Sequence, residues 1–207
     1  MDQEHHNNES PASATEQDVK VIDFLEEKEK AKVKEGLKWL HLAIDAGDTG
    51  AMNELAYILF TGKGVEQNSA EGEKWLRQSA NAGNLWAMLD LAIRLLDGDG
   101  LTKDAAEGEK WLRATAERQD ATAMRVLGYR LLEGTGLEKN LQEGEYWLRK
   151  AAELQEPAAM RILGIRLITG DGLNKNVDEG EKWLKKAAET GETVAMREWG
   201  RYLIRGL

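Results

Sequence analysis

The chain has 207 residues, 42% of them hydrophobic, and a formal charge of −9. That share of hydrophobic residues is enough to fill a core, and the absence of cysteine excludes disulfides, thiolate nucleophiles and cysteine-ligated zinc together. No apolar run reaches the roughly 18 residues that a bilayer crossing needs, and the N-terminus is polar and acidic where a secretory leader is basic and then apolar; a cytoplasmic address and no membrane partner are expected.

Residues 1–17, MDQEHHNNESPASATEQ, offer nothing to pack and read as a disordered acidic tail. Residues 1–30 hold nine acids against three lysines, so they carry −6 of the −9 and leave only −3 for the remaining 177 residues. Residues 18–46 contain neither a Gly-x-Gly nor a proline, and Lys32 stands where a capping residue would be needed to start a new helix. One continuous helix is expected from Asp18 to about Asp45, a partial repeat in which Val19, Ile22, Phe24 and Leu25 cap the first hairpin.

From there the chain copies itself. Tryptophan recurs every 36 residues at Trp39, Trp75, Trp111, Trp147 and Trp183, inside the words EGLKWL, EGEKWL, EGEKWL, EGEYWL and EGEKWL. Ala-Met pairs begin at Ala51, Ala87, Ala123, Ala159 and Ala195, and Gly-x-Gly begins at Gly62, Gly98, Gly134 and Gly170. Full repeats are read over 47–82, 83–118, 119–154 and 155–190, with a terminal half repeat over 191–207.

Each unit reads as two helices. In helix A, Ala51, Leu55, Ala56 and Leu59 fall at helical spacing, and the Gly-x-Gly behind them supplies the positive φ that ends a helix. Helix B opens on Asn68 with Glu71, a capping-box spacing repeated by Asp104 with Glu107, Asn140 with Glu143 and Asn176 with Glu179. Its apolar stripe is Gly72, Trp75, Leu76 and Ser79, and the chain then turns near Gly83. Asp48, Asn84 and Asp120 are N-caps for the next helix A, and Pro157 falls in the first turn of another, where proline is tolerated. The fold class is therefore all-α: a superhelix, or solenoid, of antiparallel helical hairpins with about ten helices.

This column order, with Gly-x-Gly-Val/Leu after helix A and a small residue three before the tryptophan, resembles the Sel-1-like repeat family from about Lys34 to Leu207. The resemblance implies a right-handed, tetratricopeptide-like superhelix whose A helices line the concave face, used as a scaffold or adaptor and carrying no reaction. Two columns depart from the family's habit: Leu59, Leu95, Leu131 and Leu167 stand where such repeats often carry tyrosine, and the small residue is always glycine, at Gly36, Gly72, Gly108, Gly144 and Gly180. A mid-helix glycine costs about 1 kcal/mol relative to alanine, so the glycine column argues for close helix contact at that level.

The residues that could do chemistry read more simply as structure. The tryptophans lie on the stripe of helix B and read as core, not as a stacking platform. The Gly-x-Gly loops follow helices and not strands, so they read as turns and not phosphate cradles. His5 and His6 are adjacent, His41 is alone, and nothing assembles a metal or cofactor site. Met52, Met88, Met124, Met160 and Met196 read as filler between hairpins, and Glu71 with Glu73 as a solvated face. With no base, nucleophile and orienting group to combine, the chain is not read as an enzyme.

What breaks the symmetry is the outer arc of helix A. It runs from Asn53, Glu54, Tyr57, Ile58 and Thr61 through Leu89, Asp90, Ile93, Arg94 and Asp97 to an arginine ladder of Arg125, Arg130, Arg161, Arg166, Arg197, Arg201 and Arg205. Tyr57, Tyr129 and Tyr202 accompany it, and aromatic residues with arginine are the composition of binding hot spots. Tyr57, Arg94, Arg125, Tyr129, Arg130, Arg161, Arg166, Arg197, Arg201 and Tyr202 are accordingly the candidates for holding an acidic helix or peptide of a protein partner. The competing reading is that these arginines pair with glutamates of adjacent repeats and hold the stack together. An immunity protein or inhibitor that neutralises a toxin or enzyme would use the same groove, and the acidic segment before Phe24 could fold back on it. The near-neutral body argues against nucleic acid, and the uncapped C-terminal helix suggests a homodimer contact.

Overall fold

The computed structural model describes residues 16–205, with side chains from residue 27 onward. Its described residues form ten helices and no strand: α1 Glu16–Asp45, α2 Thr49–Thr61, α3 Ser69–Asn81, α4 Leu85–Asp97, α5 Ala105–Glu117, α6 Ala121–Glu133, α7 Leu141–Glu153, α8 Pro157–Thr169, α9 Val177–Glu189 and α10 Thr193–Arg205. Even-numbered helices are the A type and odd-numbered the B type. The continuous helix expected where Lys32 leaves no cap is present as α1, 30 residues long. It already includes Glu16 and Gln17, which the sequence reading assigned to the tail; residues 1–15 of that tail, and the side chains of Val19, Ile22, Phe24 and Leu25, lie outside what is described.

Local chemistry sets the helix boundaries. Asp48, Asn84 and Asp120 accept backbone N–H groups of α2, α4 and α6 at 2.7–3.1 Å, and Glu156 caps α8 immediately before Pro157 at its first position. Gly62, Gly98, Gly134 and Gly170 end the A helices in the left-handed region, at φ between 66° and 80°, where a residue without Cβ suffers no strain. The B helices are only half as predicted. Asn68, Asp104, Asn140 and Asn176 do accept the N–H three residues on, but no glutamate returns the bond. The cap's own N–H donates instead to Leu59, Leu95, Leu131 and Leu167, at 2.8–2.9 Å, so the backbone of the leucine column closes each hairpin and the glutamate is free for another use.

Inside each hairpin the glycine column does what its cost implied. A Cβ on Gly72, Gly108, Gly144 or Gly180 would stand 3.2, 3.0, 3.0 and 2.7 Å from the carbonyl oxygen of Ala56, Ala92, Gly128 and Gly164 on the facing A helix. Such an approach leaves no room for a side chain. Leu76, Leu112, Leu148 and Leu184 of the B helices are completely buried beside it, Leu76 in one core cluster and the other three in a second, with Trp111 packed against both.

The tryptophans correct the sequence reading. Trp111, Trp147 and Trp183 pack one face on this core but are only half-buried, while Trp39 is 63% exposed. The indole N–H of Trp111, Trp147 and Trp183 finds a carboxylate acceptor in that half-buried position, and none of the described residues forms a hairpin ahead of Trp39.

Candidate functional site

The outer arc of the A helices sorts into columns. In the first, the side chains of Arg94, Arg130 and Arg166 are 12%, 12% and 10% exposed. Arg130 holds Asp97 of the preceding helix A with both terminal nitrogens, at 2.8 and 2.7 Å, and one repeat on Arg166 reaches Glu133 with a single terminal nitrogen, its other turning to Asp171. The hydrogen bonds from Arg130 keep the Asp97 carboxyl below its ordinary value. Arg94 has Thr61 where its acidic partner would be; it turns to Asp90 at 3.0 Å and lies over the Phe60 ring, 4.1 Å from its centre. All three also donate to the carbonyl of their own Gly-x-Gly loop, at Asp99, Thr135 and Asp171.

The second column points the other way. Arg125 and Arg161 form ion pairs with Glu156 and Glu192, at 3.1 and 3.2 Å, and these carboxylates are the N-caps of the following A helices. Five of the candidate arginines are thus engaged, four of them across a repeat boundary. Arg197 and Arg201, at 65% and 62% exposure, have among the described residues Glu198 of their own helix as their ion-pair partner. Tyr202 stacks on Trp199 and donates its hydroxyl to Glu181, which raises the pKa of that hydroxyl. The competing expectation of inter-repeat pairing therefore describes Arg125, Arg130, Arg161 and Arg166.

The B helices carry a second ladder. Arg77, Arg113 and Arg149 each grip a helix-start glutamate one repeat ahead, Glu107, Glu143 and Glu179, with two nitrogens. The same carboxylates accept the indole N–H of Trp111, Trp147 and Trp183 at 3.1–3.2 Å. The arginine bonds hold each glutamate below its ordinary pKa, with the indole adding and burial opposing. This is the use to which the unreturned capping-box glutamates are put.

What stays open on the A face is aromatic. A cleft of about 490 Å³ lies between α2 and α4, lined by Tyr57, Trp86, Leu89 and Ile93 with Glu54 and Asp90 at its edge. A second, of about 390 Å³ between α4 and α6, has Ile93, Val126 and Tyr129 as its floor. Tyr57 and Tyr129 are 47% and 42% exposed, and Trp86 is 74% exposed. Sequence reasoning missed Trp86. Its signal was available: it is the one large side chain in a column otherwise made of Gly50, Thr122, Ala158 and Val194. No group of three His, Cys, Asp or Glu side chains that could hold a metal occurs among the described residues, and none of their helices is long and apolar enough to cross a membrane.

The Sel1 repeat model matches residues 30–48, 49–84, 87–120, 121–156 and 157–191. The chain belongs to the Sel1 repeat family. A Sel1 repeat protein from Oxalobacter formigenes is 28% identical and superposes with a TM-score of 0.73, over 88% of this chain and 77% of that one. A protective antigen of uropathogenic Escherichia coli with the same repeat fold is also 28% identical, with a TM-score of 0.73 over 83% of this chain, which spans 37% of the length of that protein. Helicobacter pylori cysteine rich protein B shares the fold at 19% identity and a TM-score of 0.50, over 63% of this chain and 93% of that one. No curated protein matches. Sel1 repeats are generally scaffolds for protein–protein interaction and form a non-enzymatic repeat family.

Proposed function

We propose that this Sel1 repeat chain is an adaptor that binds a segment of a partner protein along its A-helix face, anchored by apolar side chains in the two clefts. The observation that carries the reading is the placement of Tyr57, Trp86 and Tyr129: three exposed aromatic rings on one face, at positions where the copies differ. Large rigid aromatics in clefts are the residues from which hot spots are built. The preference for an acidic partner now rests on Arg197, Arg201 and Arg205, the exposed cations at the C-terminal end of that face, because Arg94, Arg125, Arg130, Arg161 and Arg166 are committed to neighbouring carboxylates.

A partner recovered by affinity capture and mass spectrometry tests this directly. Trp86→Ala with Tyr129→Ala weakens its binding by at least tenfold, on the scale of about 2 kcal/mol or more for two hot-spot rings, whereas Trp39→Ala leaves it unchanged. Binding that survives the double substitution removes the A face as the site. Arg201→Glu with Arg205→Glu reads the acidic preference separately: unchanged affinity keeps the face and removes the preference.

A further inference from the structure

The two ends of the stack expose opposite halves of one hairpin. In α8, Met160, Leu163, Leu167 and Ile168 are buried under α9 and the stack, with at most 5% exposure. The same columns of α10 hold Met196 at 49%, Leu203 at 64% and Ile204 at 81% exposure, around Gly200, which has nothing within 4 Å of a would-be Cβ. Helix α10 is an A helix whose B-facing side is covered by none of the described residues. At the other end α1 is a B helix with no A helix of its own among the described residues: Gly36 also has nothing within 4 Å of a would-be Cβ, Leu40 is only partly buried, and Trp39 is 63% exposed.

We infer that α10 of one copy docks against α1 of a second copy, head to tail, completing the hairpin that each lacks. The columns dictate the register. Within the chain, Gly164 and Ile168 of α8 close over Leu184 and Gly180 of α9, with less than 3 Å from a would-be Cβ at either glycine to the facing backbone. Gly200 and Ile204 occupy the columns of Gly164 and Ile168, and Leu40 and Gly36 those of Leu184 and Gly180. The same register brings together charges that face no neighbouring repeat among the described residues. Lys185 stands in the column of Arg149 and meets Glu35 of the second copy, which stands in the column of Glu179. Arg197 stands in the column of Arg161 and meets the second copy's Asp48, an N-cap in the column of Glu192.

Opposite charges therefore fall on opposite ends, and this selects the head-to-tail arrangement. A symmetric α10-to-α10 contact would set Arg197, Arg201 and Arg205 of one helix against the same three of the other. Because the contact uses two different surfaces, each addition leaves a fresh end and the assembly is open.

Sedimentation equilibrium of the full chain tests the inference. The wild type gives a mass that rises beyond the dimer with concentration. Gly36→Leu and Ile204→Glu alter positions that are open in the monomer, so circular dichroism stays unchanged while each variant alone remains monomeric. Mixed in equal amounts, they form a dimer and nothing larger, since one intact head still finds one intact tail. Lys185→Glu weakens assembly, and adding Glu35→Lys to the same chain restores it. A wild type that is monomeric throughout overturns the proposal, as does self-association by either blocked variant, or a mixture that fails to pair while the wild type assembles.

Discussion

Alanine placed at each glycine of the helix-B column separates the intrinsic cost of a helical glycine from its use in packing. At Gly36 the new Cβ meets nothing within 4 Å, so only the helix propensity changes, a gain of up to about 1 kcal/mol. At Gly144 the Cβ would lie 2.7 Å from the Leu132 Cγ and 3.0 Å from the Gly128 carbonyl, and at Gly180 it would lie 2.7 Å from the Gly164 carbonyl. Carbon contacts are comfortable at about 3.5–4.0 Å, and a carbonyl inside a packed helix has little freedom to withdraw. Overpacking of this kind costs about 1–3 kcal/mol, which exceeds the propensity gain, so Gly144→Ala and Gly180→Ala come out destabilised by up to about 2 kcal/mol. Urea denaturation followed by far-ultraviolet circular dichroism, at a concentration low enough to keep the chain monomeric, reads the difference. Gly36→Ala moves the midpoint up and Gly180→Ala moves it down. Shifts of the same sign at both positions would refute the packing argument.

The remaining predictions concern protons and turns. Glu107, Glu143 and Glu179 are held below the ordinary glutamate value of 4.5 by Arg77, Arg113 and Arg149; the unfolded chain therefore binds more protons in that range, and the clamps stabilise fully above pH 4.5 and fade as the pH falls below it. Replacing the three glutamates by glutamine flattens the loss of stability between neutral and acid pH, and an unaltered pH profile would show the clamps contribute nothing. Gln119 and Gln155 sit at φ of 64° and 61° where Gly47, Gly83 and Gly191 serve the other copies. Gln155→Gly relieves a left-handed conformation that costs roughly 1–2 kcal/mol, less the flexibility that glycine adds to the unfolded chain; it raises the melting temperature, and a fall would show that the Gln155 side chain stabilises the turn by more than its strain.

Elements whose causes lie within a few residues were legible in the sequence. The caps at Asp48, Asn84 and Asp120, the glycine stops, the proline-tolerant start of α8 and the unbroken α1 were all read correctly because each depends on neighbours three or four positions away. The 36-residue recurrence then fixed the hairpin stack, since identical columns have identical environments. The arginines were not legible in this way. Arg125 and Arg161 find their carboxylates 31 residues ahead, Arg130 and Arg166 find theirs 33 residues behind, and nothing local distinguishes a guanidinium facing solvent from one facing the next repeat.

The same reason explains the other departures. The helix-start glutamates were assigned to a local capping box, but the N–H they would have accepted is taken by a carbonyl nine residues back on the facing helix, and an arginine from the preceding repeat claims the carboxylate. Five tryptophans with one sequence environment differ in exposure because four have a hairpin in front of them and, among the described residues, Trp39 has none. By itself the sequence determined the repeat unit, its helices and their stops, because those are short-range consequences of backbone hydrogen bonding and side-chain period. Only the tertiary structure decided which charged groups are spent on cohesion, which aromatic rings remain free, and which residues of α1 and α10 are exposed, because each of these depends on what an adjacent unit places against the residue.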